Sequence, residues 1–176
     1  MIYPVGFRWS VDMKPAIGGT LCMHAENGSR VTVLYLTDGG GLEEPRGPMI
    51  ARRRAEAEAL GRALGLEQVF WENRDTRLSN DPATVARLAE LLGRLDPEHV
   101  YAPSIFDHHY DHFATNQVLV DALEQLPDLR PPVAGYEVWD NVPFANYLVD
   151  VSEHMEAKDE ALAYYATPLS YTDFTQ

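Results

Sequence analysis

Six consecutive residues, Val31-Thr32-Val33-Leu34-Tyr35-Leu36, carry no charge and are almost all β-branched or large and apolar. A strand with one wet face alternates, whereas a run without alternation must be covered on both faces, which calls for helices above and below a largely parallel sheet. The rest of the chain has the pattern to supply them. Gly18-Gly19-Thr20-Leu21 opens a short helical stretch that stops at Asn27-Gly28, where glycine accepts the left-handed conformation. Arg52 to Leu64 predicts a helix with Ala55, Ala59, Leu60, Ala63 and Leu64 facing inward and Gly65 closing it. Val69-Phe70-Trp71 is a short strand. Asp81-Pro82 starts a helix whose apolar side is Val85, Leu88, Leu91, Leu92 and Leu95. An apolar segment at Val100-Tyr101-Ala102-Pro103 precedes a further helix, with Leu119, Ala122, Leu123 and Leu126 on one face. Leu126 to Pro132 is a loop. Strand-like segments follow at Val133 to Trp139 and at Tyr147 to Val151, and Ser152 caps a last helix carrying Met155, Leu162 and Tyr165. The expected fold class is α/β: a Rossmann-like three-layer sandwich with a mostly parallel sheet, as one domain over residues 1–176.

Composition narrows the function classes. A chain of 176 residues can build a core without staples, and its single cysteine, Cys22, excludes a disulfide framework or a cysteine-based zinc cluster. Fourteen Lys+Arg stand against 27 Asp+Glu, for a net charge of −13, which is the opposite of a nucleic-acid footprint or a polybasic membrane patch. No apolar run is long enough for a membrane span, and Met1-Ile2-Tyr3-Pro4 lacks the regions of a signal peptide. A soluble, cytoplasmic protein acting on a small molecule is the expectation, with neither nucleic acid nor membrane as partner.

The chemistry concentrates in Asp107-His108-His109-Tyr110-Asp111-His112, directly after the Val100 strand. Three of the six histidines and two carboxylates fall where a strand hands over to a helix, the place where open α/β sheets hold ligands. His109 and His112 are three apart and share a face once the helix has begun. With Asp111 between them, one imidazole can bind a metal while the other is oriented and kept basic by a carboxylate. Read without that chemistry, the run is a histidine-rich helix start. Thr37-Asp38-Gly39-Gly40-Gly41, at the end of the Val31 strand, is a flexible turn at the same edge, with Asp38 as a turn former whose place at the ligand edge also keeps it among the site candidates. His24 and His99 are read as structural.

The ordered set of Gly-Gly-Thr-Leu at 18–21, VTVLYLTDGG at 31–40, Arg53-x-x-Glu56, Leu64-Gly65 and His109-Tyr110-Asp111-His112 resembles the LmbE-like or PIG-L deacetylases. The segment VDVSEHMEAKDEALAYY resembles that family's last helix. The resemblance implies a zinc-dependent hydrolase that removes an acyl group from an N-acylated amino sugar, often a GlcNAc conjugate. It further implies His112 as a metal ligand, His109 as the general acid that protonates the leaving amine, and Asp111 as the residue that holds His109 in its tautomer. Arg53 and Asp75 fall on substrate-binding positions. For Arg53 the alternative is a solvated helix charge paired with Glu56 or Glu58, and for Asp75 an ordinary turn residue.

The N-terminus departs from the family pattern. The family opens with an apolar strand running into His-Pro-Asp-Asp-Glu, which supplies two zinc ligands and the general base. Counting back from Gly18 puts Trp9, Ser10, Val11, Asp12 and Met13 on those positions, so only the second Asp survives, as the metal ligand Asp12. Val5, Phe7, Trp9 and Val11 alternate with Gly6, Arg8, Ser10 and Asp12. That period of two predicts a half-exposed strand at a sheet edge or subunit contact, in place of the family's first central strand. Family members also usually continue beyond the last helix. The N-terminus is therefore replaced, lost by truncation or frameshift, or part of a degenerate site. Three functions stay open: a zinc deacetylase, a catalytically dead family member acting as a sugar or small-molecule binding domain, and an amidase of thiol conjugates. Members of the family often assemble, so a homo-oligomer is among the expectations.

Overall fold

The computed structural model describes residues 2–5, 17–42 and 44–170. In chain order the elements are β1 (Ile2–Val5), α1 (Gly18–Glu26), β2 (Thr32–Thr37), α2 (Arg46–Leu64), β3 (Glu67–Asn73), α3 (Pro82–Leu95), β4 (Val100–Pro103), α4 (Tyr110–Glu124), β5 (Val133–Tyr136), a 3₁₀ turn (Ser152–His154), α5 (Met155–Ala163) and α6 (Ala166–Leu169). The five strands form one sheet in the order β3-β2-β1-β4-β5, and every pairing is parallel.

All six residues of β2 are buried, and its four apolar ones divide between two hydrophobic clusters on opposite faces of the sheet. Leu34 and Leu36 pack with Leu88 and Leu92 of α3 and with Val118 and Leu119 of α4. Val33 and Tyr35 pack with Leu21 and Cys22 of α1, Ala57 and Leu60 of α2, and Tyr165. Helices thus cover both faces, which is what an apolar run without alternation requires. The strand order reverses between β1 and β4, so the crevice that open sheets use for ligands lies outside the carboxyl ends of these two strands.

Local chemistry fixes the helix ends. Asp81 caps α3, its side chain accepting from the backbone N–H of Ala83 and Thr84 at 3.0 Å each, with Pro82 following at the first helical position. Gly65 ends α2 in the left-handed conformation at φ 66°.

Several sequence expectations are corrected. The N-terminal strand is no edge. Ile2–Val5 pairs with β2 along its length and with β4 at Ile2, so it is the middle strand. The alternation was read over residues 5–11, whereas the strand is Ile2-Tyr3-Pro4-Val5, an uninterrupted apolar stretch that only touches that window. Trp9, Val11 and Asp12 lie outside the described residues. Helix α2 begins at Arg46, six residues before the expected start, and its inward positions are Arg53, Ala57, Leu60 and Gly61. Ala55 and Ala63 are exposed. Small alanines give a helix little rotational preference, and here the turn that faces the sheet carries Arg53 toward the carboxyl edge. Tyr147 to Val151 forms no strand, because none of the sheet's strands pairs with it. Its Val151 instead covers Gly19 of α1, where an added Cβ would lie 2.9 Å from the valine side chain. Ser152 opens the 3₁₀ turn, and α5 starts three residues later.

Candidate active site

The histidine run leaves β4 at Pro103, loops over residues 104–109 and enters α4 with His109 at the N-cap. Asn116, in the second turn, donates to the carbonyls of Pro103 (3.0 Å) and His112 (2.9 Å), which fastens the start of α4 to the end of β4. His112 is completely buried, and its Nδ1 lies 3.0 Å from Oδ1 of Asp107. A carboxylate on one imidazole nitrogen fixes the ring and leaves Nε2 as the ligand atom, an arrangement typical of metal-binding histidines. Asp107 also accepts the backbone N–H of His109 and of Trp139, at 2.9 Å each. Burial opposes its charge, but those two N–H groups and His112 outweigh the burial and hold its carboxyl below the ordinary value. His109 is half-buried, with its ring 4.6 Å from that of His112 at an angle of 47°.

Asp111 does something other than expected. Its two oxygens accept the backbone N–H of Thr76 (2.7 Å) and Leu78 (3.0 Å), so its described hydrogen bonds go to the loop after β3 and not to the His109 ring. The reason is geometric. At the second position of α4 its side chain points across the crevice at that loop, where the N–H groups of half-buried Thr76 and buried Leu78 need an acceptor. Burial raises its pKa, against the pull of the Leu78 and Thr76 N–H groups.

The same loop carries Asp75, fully buried, with Oδ2 accepting the N–H of Gly41 at 2.9 Å. Its Oδ1 is buried without a hydrogen-bond partner among the described residues. Burial, assisted by Asp111 and Asp38, pushes its pKa up to about 7 despite Gly41 and Arg53. Asp75 is therefore no ordinary turn residue. Arg53 is no solvated helix charge either. It is 3% exposed and donates to the carbonyl of Gly39 at 2.5 Å, while Glu58 pairs with Arg54 and Glu56 accepts from Thr167. A cavity of about 260 Å³ beside Arg53 is bounded by Asp38, Gly39, Ile50, Ala57 and Phe70, and a more open cleft of about 530 Å³ lies against Thr76, Arg77 and Tyr110.

Two features escaped the sequence reading. Asp107 belonged to the run, but its spacing of five from His112 is no helical register, and only the loop brings the two together. Asp38 exceeds its turn role: its Oδ1 accepts from Gly40 N–H (3.0 Å), Asp75 N–H (3.2 Å) and the Arg46 guanidinium (2.6 Å). Arg46 in turn reaches the Gly41 carbonyl at 3.1 Å. Arg53, Asp75, His109, Asp111 and His112 thus come to one edge of the sheet. Asp12 lies outside the described residues.

The chain is similar in sequence and fold to known proteins. The family model for PIG-L, described as GlcNAc-PI de-N-acetylase, matches residues 12–123, more than half of the chain. A 4-oxalmesaconate hydratase from Pseudomonas putida is 33% identical over 113 residues, 58% of this chain and 44% of the relative. The chain thus spans less than half the length of that relative. Among solved structures, the conserved protein TT1542 from Thermus thermophilus superposes with a TM-score of 0.72 at 28% identity, over 93% of this chain and 77% of that one. An N,N'-diacetylchitobiose deacetylase from Pyrococcus horikoshii, in complex with an inhibitor, gives a TM-score of 0.79 at 24% identity, over 99% and 71% respectively; at that identity the likeness is one of fold.

Proposed function

The chain belongs to the PIG-L, or LmbE-like, family, and from that premise we propose that it is a metal-dependent hydrolase, with zinc as the metal, that removes an acyl group from an N-acylated amino sugar such as a GlcNAc conjugate. The observation that carries this reading is the buried His112, backed at Nδ1 by Asp107 and flanked by His109. His112 fits a metal, because a buried imidazole with a carboxylate behind one nitrogen offers the other as a rigid donor. The ion would be held by His112 through Nε2 and by Asp12. When bound, it supplies a Lewis acid that polarises an amide carbonyl and lowers the pKa of water toward ~7.

The chain's own residues do the rest. His109, half-buried at the N-cap of α4 beside His112, carries the proton that the leaving amine nitrogen needs as the C–N bond breaks. Arg53 lines the cavity on the Gly39–Gly41 side of the crevice, where it meets the sugar, and Asp75, buried behind Gly41, holds that loop in place. Asp111 and Asp38 hold the two loops that present them. The family's general-base position reads Val11.

The test is amine release from N-acetyl amino sugars with zinc supplied. His109→Ala should lower turnover by roughly 10²–10⁴ while sparing the metal. His112→Ala should lose metal and activity together. Release by the wild type no greater than by His112→Ala would overturn the reading. A second reading is favoured by the 33% identity to a hydratase: addition of water to an unsaturated carboxylic acid held by Arg53. Loss of the conjugated absorbance of such an acid, without amine release from any amide, would select it. A chain that binds the sugar but turns over neither substrate is the binding domain.

A further inference from the structure

We propose that Asp107, His108 and Asp140 form a second site, for a divalent transition-metal ion, on the solvent side of the carboxylate that backs His112. Ligand atoms of the three side chains lie within 4.8 Å of one another, and they are the only such group of three among the described residues. The site is built by two loops that stitch each other together. Asp107, on the first loop, accepts the N–H of Trp139 on the second; Asp140, on the second, accepts the N–H of His108 on the first at 2.7 Å. The same Asp140 oxygen lies 2.5 Å from Nδ1 of His108. This reciprocal bracing holds an imidazole and a carboxylate at near-contact distance, with a second carboxylate behind them whose backbone donors fix its orientation.

The chemistry of the set chooses the ion. One imidazole and two carboxylates suit Zn²⁺, Co²⁺ or Mn²⁺ better than Ca²⁺ or Mg²⁺, which favour all-oxygen shells. The ion would sit between His108 Nδ1 and Asp140 Oδ2, which the two loops already hold face to face. The side chains of His108 and Asp140 are 73% and 39% exposed, which gives an ion a direct approach and leaves positions for water. A net charge of −13 raises the local concentration of cations. The outer set stands without the proposed function, although an ion here shares Asp107 with His112; only the second, inner ion rests on that reading.

Stoichiometry and location test it together. Equilibrium dialysis of the full chain against Co²⁺ near neutral pH should give two ions for the wild type. His108→Ala and Asp140→Asn, both at exposed positions, should each lose one ion and keep the other, while His112→Ala should lose the inner ion and keep the outer. His154 and Glu26 make another exposed histidine–carboxylate contact at 2.7 Å but with no third ligand in the described group, so Glu26→Gln should change nothing. One ion in the wild type, lost in His108→Ala and kept in His112→Ala, would support the outer site and sink the inner one. A stoichiometry unaltered by both His108→Ala and Asp140→Asn, or no ion at all in the wild type, would overturn the proposal.

Discussion

Asp107 makes three contacts, each of which depends on its being an acceptor on both oxygens: His112 Nδ1, the His109 N–H and the Trp139 N–H. Asp107→Asn places an NH₂ group against one of these donors and removes the charge that steadies His112. In a His108→Ala background, which leaves only the inner ion, its metal affinity should fall by roughly 10–100-fold, measured by competition with a chelating dye, with little change in far-ultraviolet dichroism. An unchanged dissociation constant would mean that His112 does not rely on the carboxylate. Asp75 poses the opposite electrostatic problem. Its pKa rises from the ordinary 3.8 to about 7 because burial disfavours the ionised form, so the folded chain keeps a proton that the unfolded chain releases near pH ~4. Stability from this group is therefore complete below about pH 4 and is lost as pH rises toward about 7. Asp75→Asn imitates the protonated carboxyl and keeps an acceptor for Gly41. Its melting temperature relative to wild type should rise between pH 5 and pH 8. A difference that stays flat across that range would show that Asp75 does not titrate there.

At the scale of elements, the 38–41 loop and the first turn of α2 behave as one unit. Gly39 and Gly41 adopt positive φ (65° and 67°), which β-carbon-bearing residues adopt at a cost, and Gly40 is closely packed. A Cβ on Gly40 would lie 2.8 Å from Arg46 Nη2 and 2.9 Å from Ile50 Cγ1. The guanidinium can move aside only by giving up Asp38, and the isoleucine is held in its helix. Gly40→Ala should thus cost roughly 1–3 kcal/mol, read from the midpoint of denaturant unfolding. It should also weaken substrate binding, since Arg53 is anchored on the neighbouring carbonyl. An unaltered midpoint would show that the loop gives way freely.

The whole molecule places these units by the order of its strands. The carboxyl ends of β1 and β4 diverge into the crevice, the histidine run follows β4, and the loops after β2 and β3 close the opposite side. Because the proposed ligands come from segments that only the packed sheet brings together, occupancy should be felt by the entire fold. Zinc or cobalt at about a hundred times the dissociation constant should stabilise the protein by ~2.7 kcal/mol for each site filled, seen as a rise in melting temperature that a chelator reverses. The double variant His108→Ala, His112→Ala should lose the rise. A persistent rise in that variant would place the ion elsewhere.

What the sequence determined by itself was whatever depends on neighbours along the chain. The apolar run 31–36, the Asp81-Pro82 helix start, the Gly65 stop and the strand-to-helix position of the histidines follow from patterns a few residues long, and each describes the element found. The tertiary structure decided what depends on partners far away in the chain. Residues 147–151 have the composition of a strand but no strand to pair with. Ile2–Val5 sits between β2 and β4, although the alternation downstream of it spoke for an edge. Arg53 and Asp75 could not be told from a surface charge and a turn residue until burial and contact with Gly39 and Gly41 distinguished them. Asp111 turned to the N–H groups of Thr76 and Leu78, and Asp107 took the place behind a histidine. A carboxylate accepts from whichever donors the fold buries beside it, and those donors belong to loops that only the packed sheet brings together.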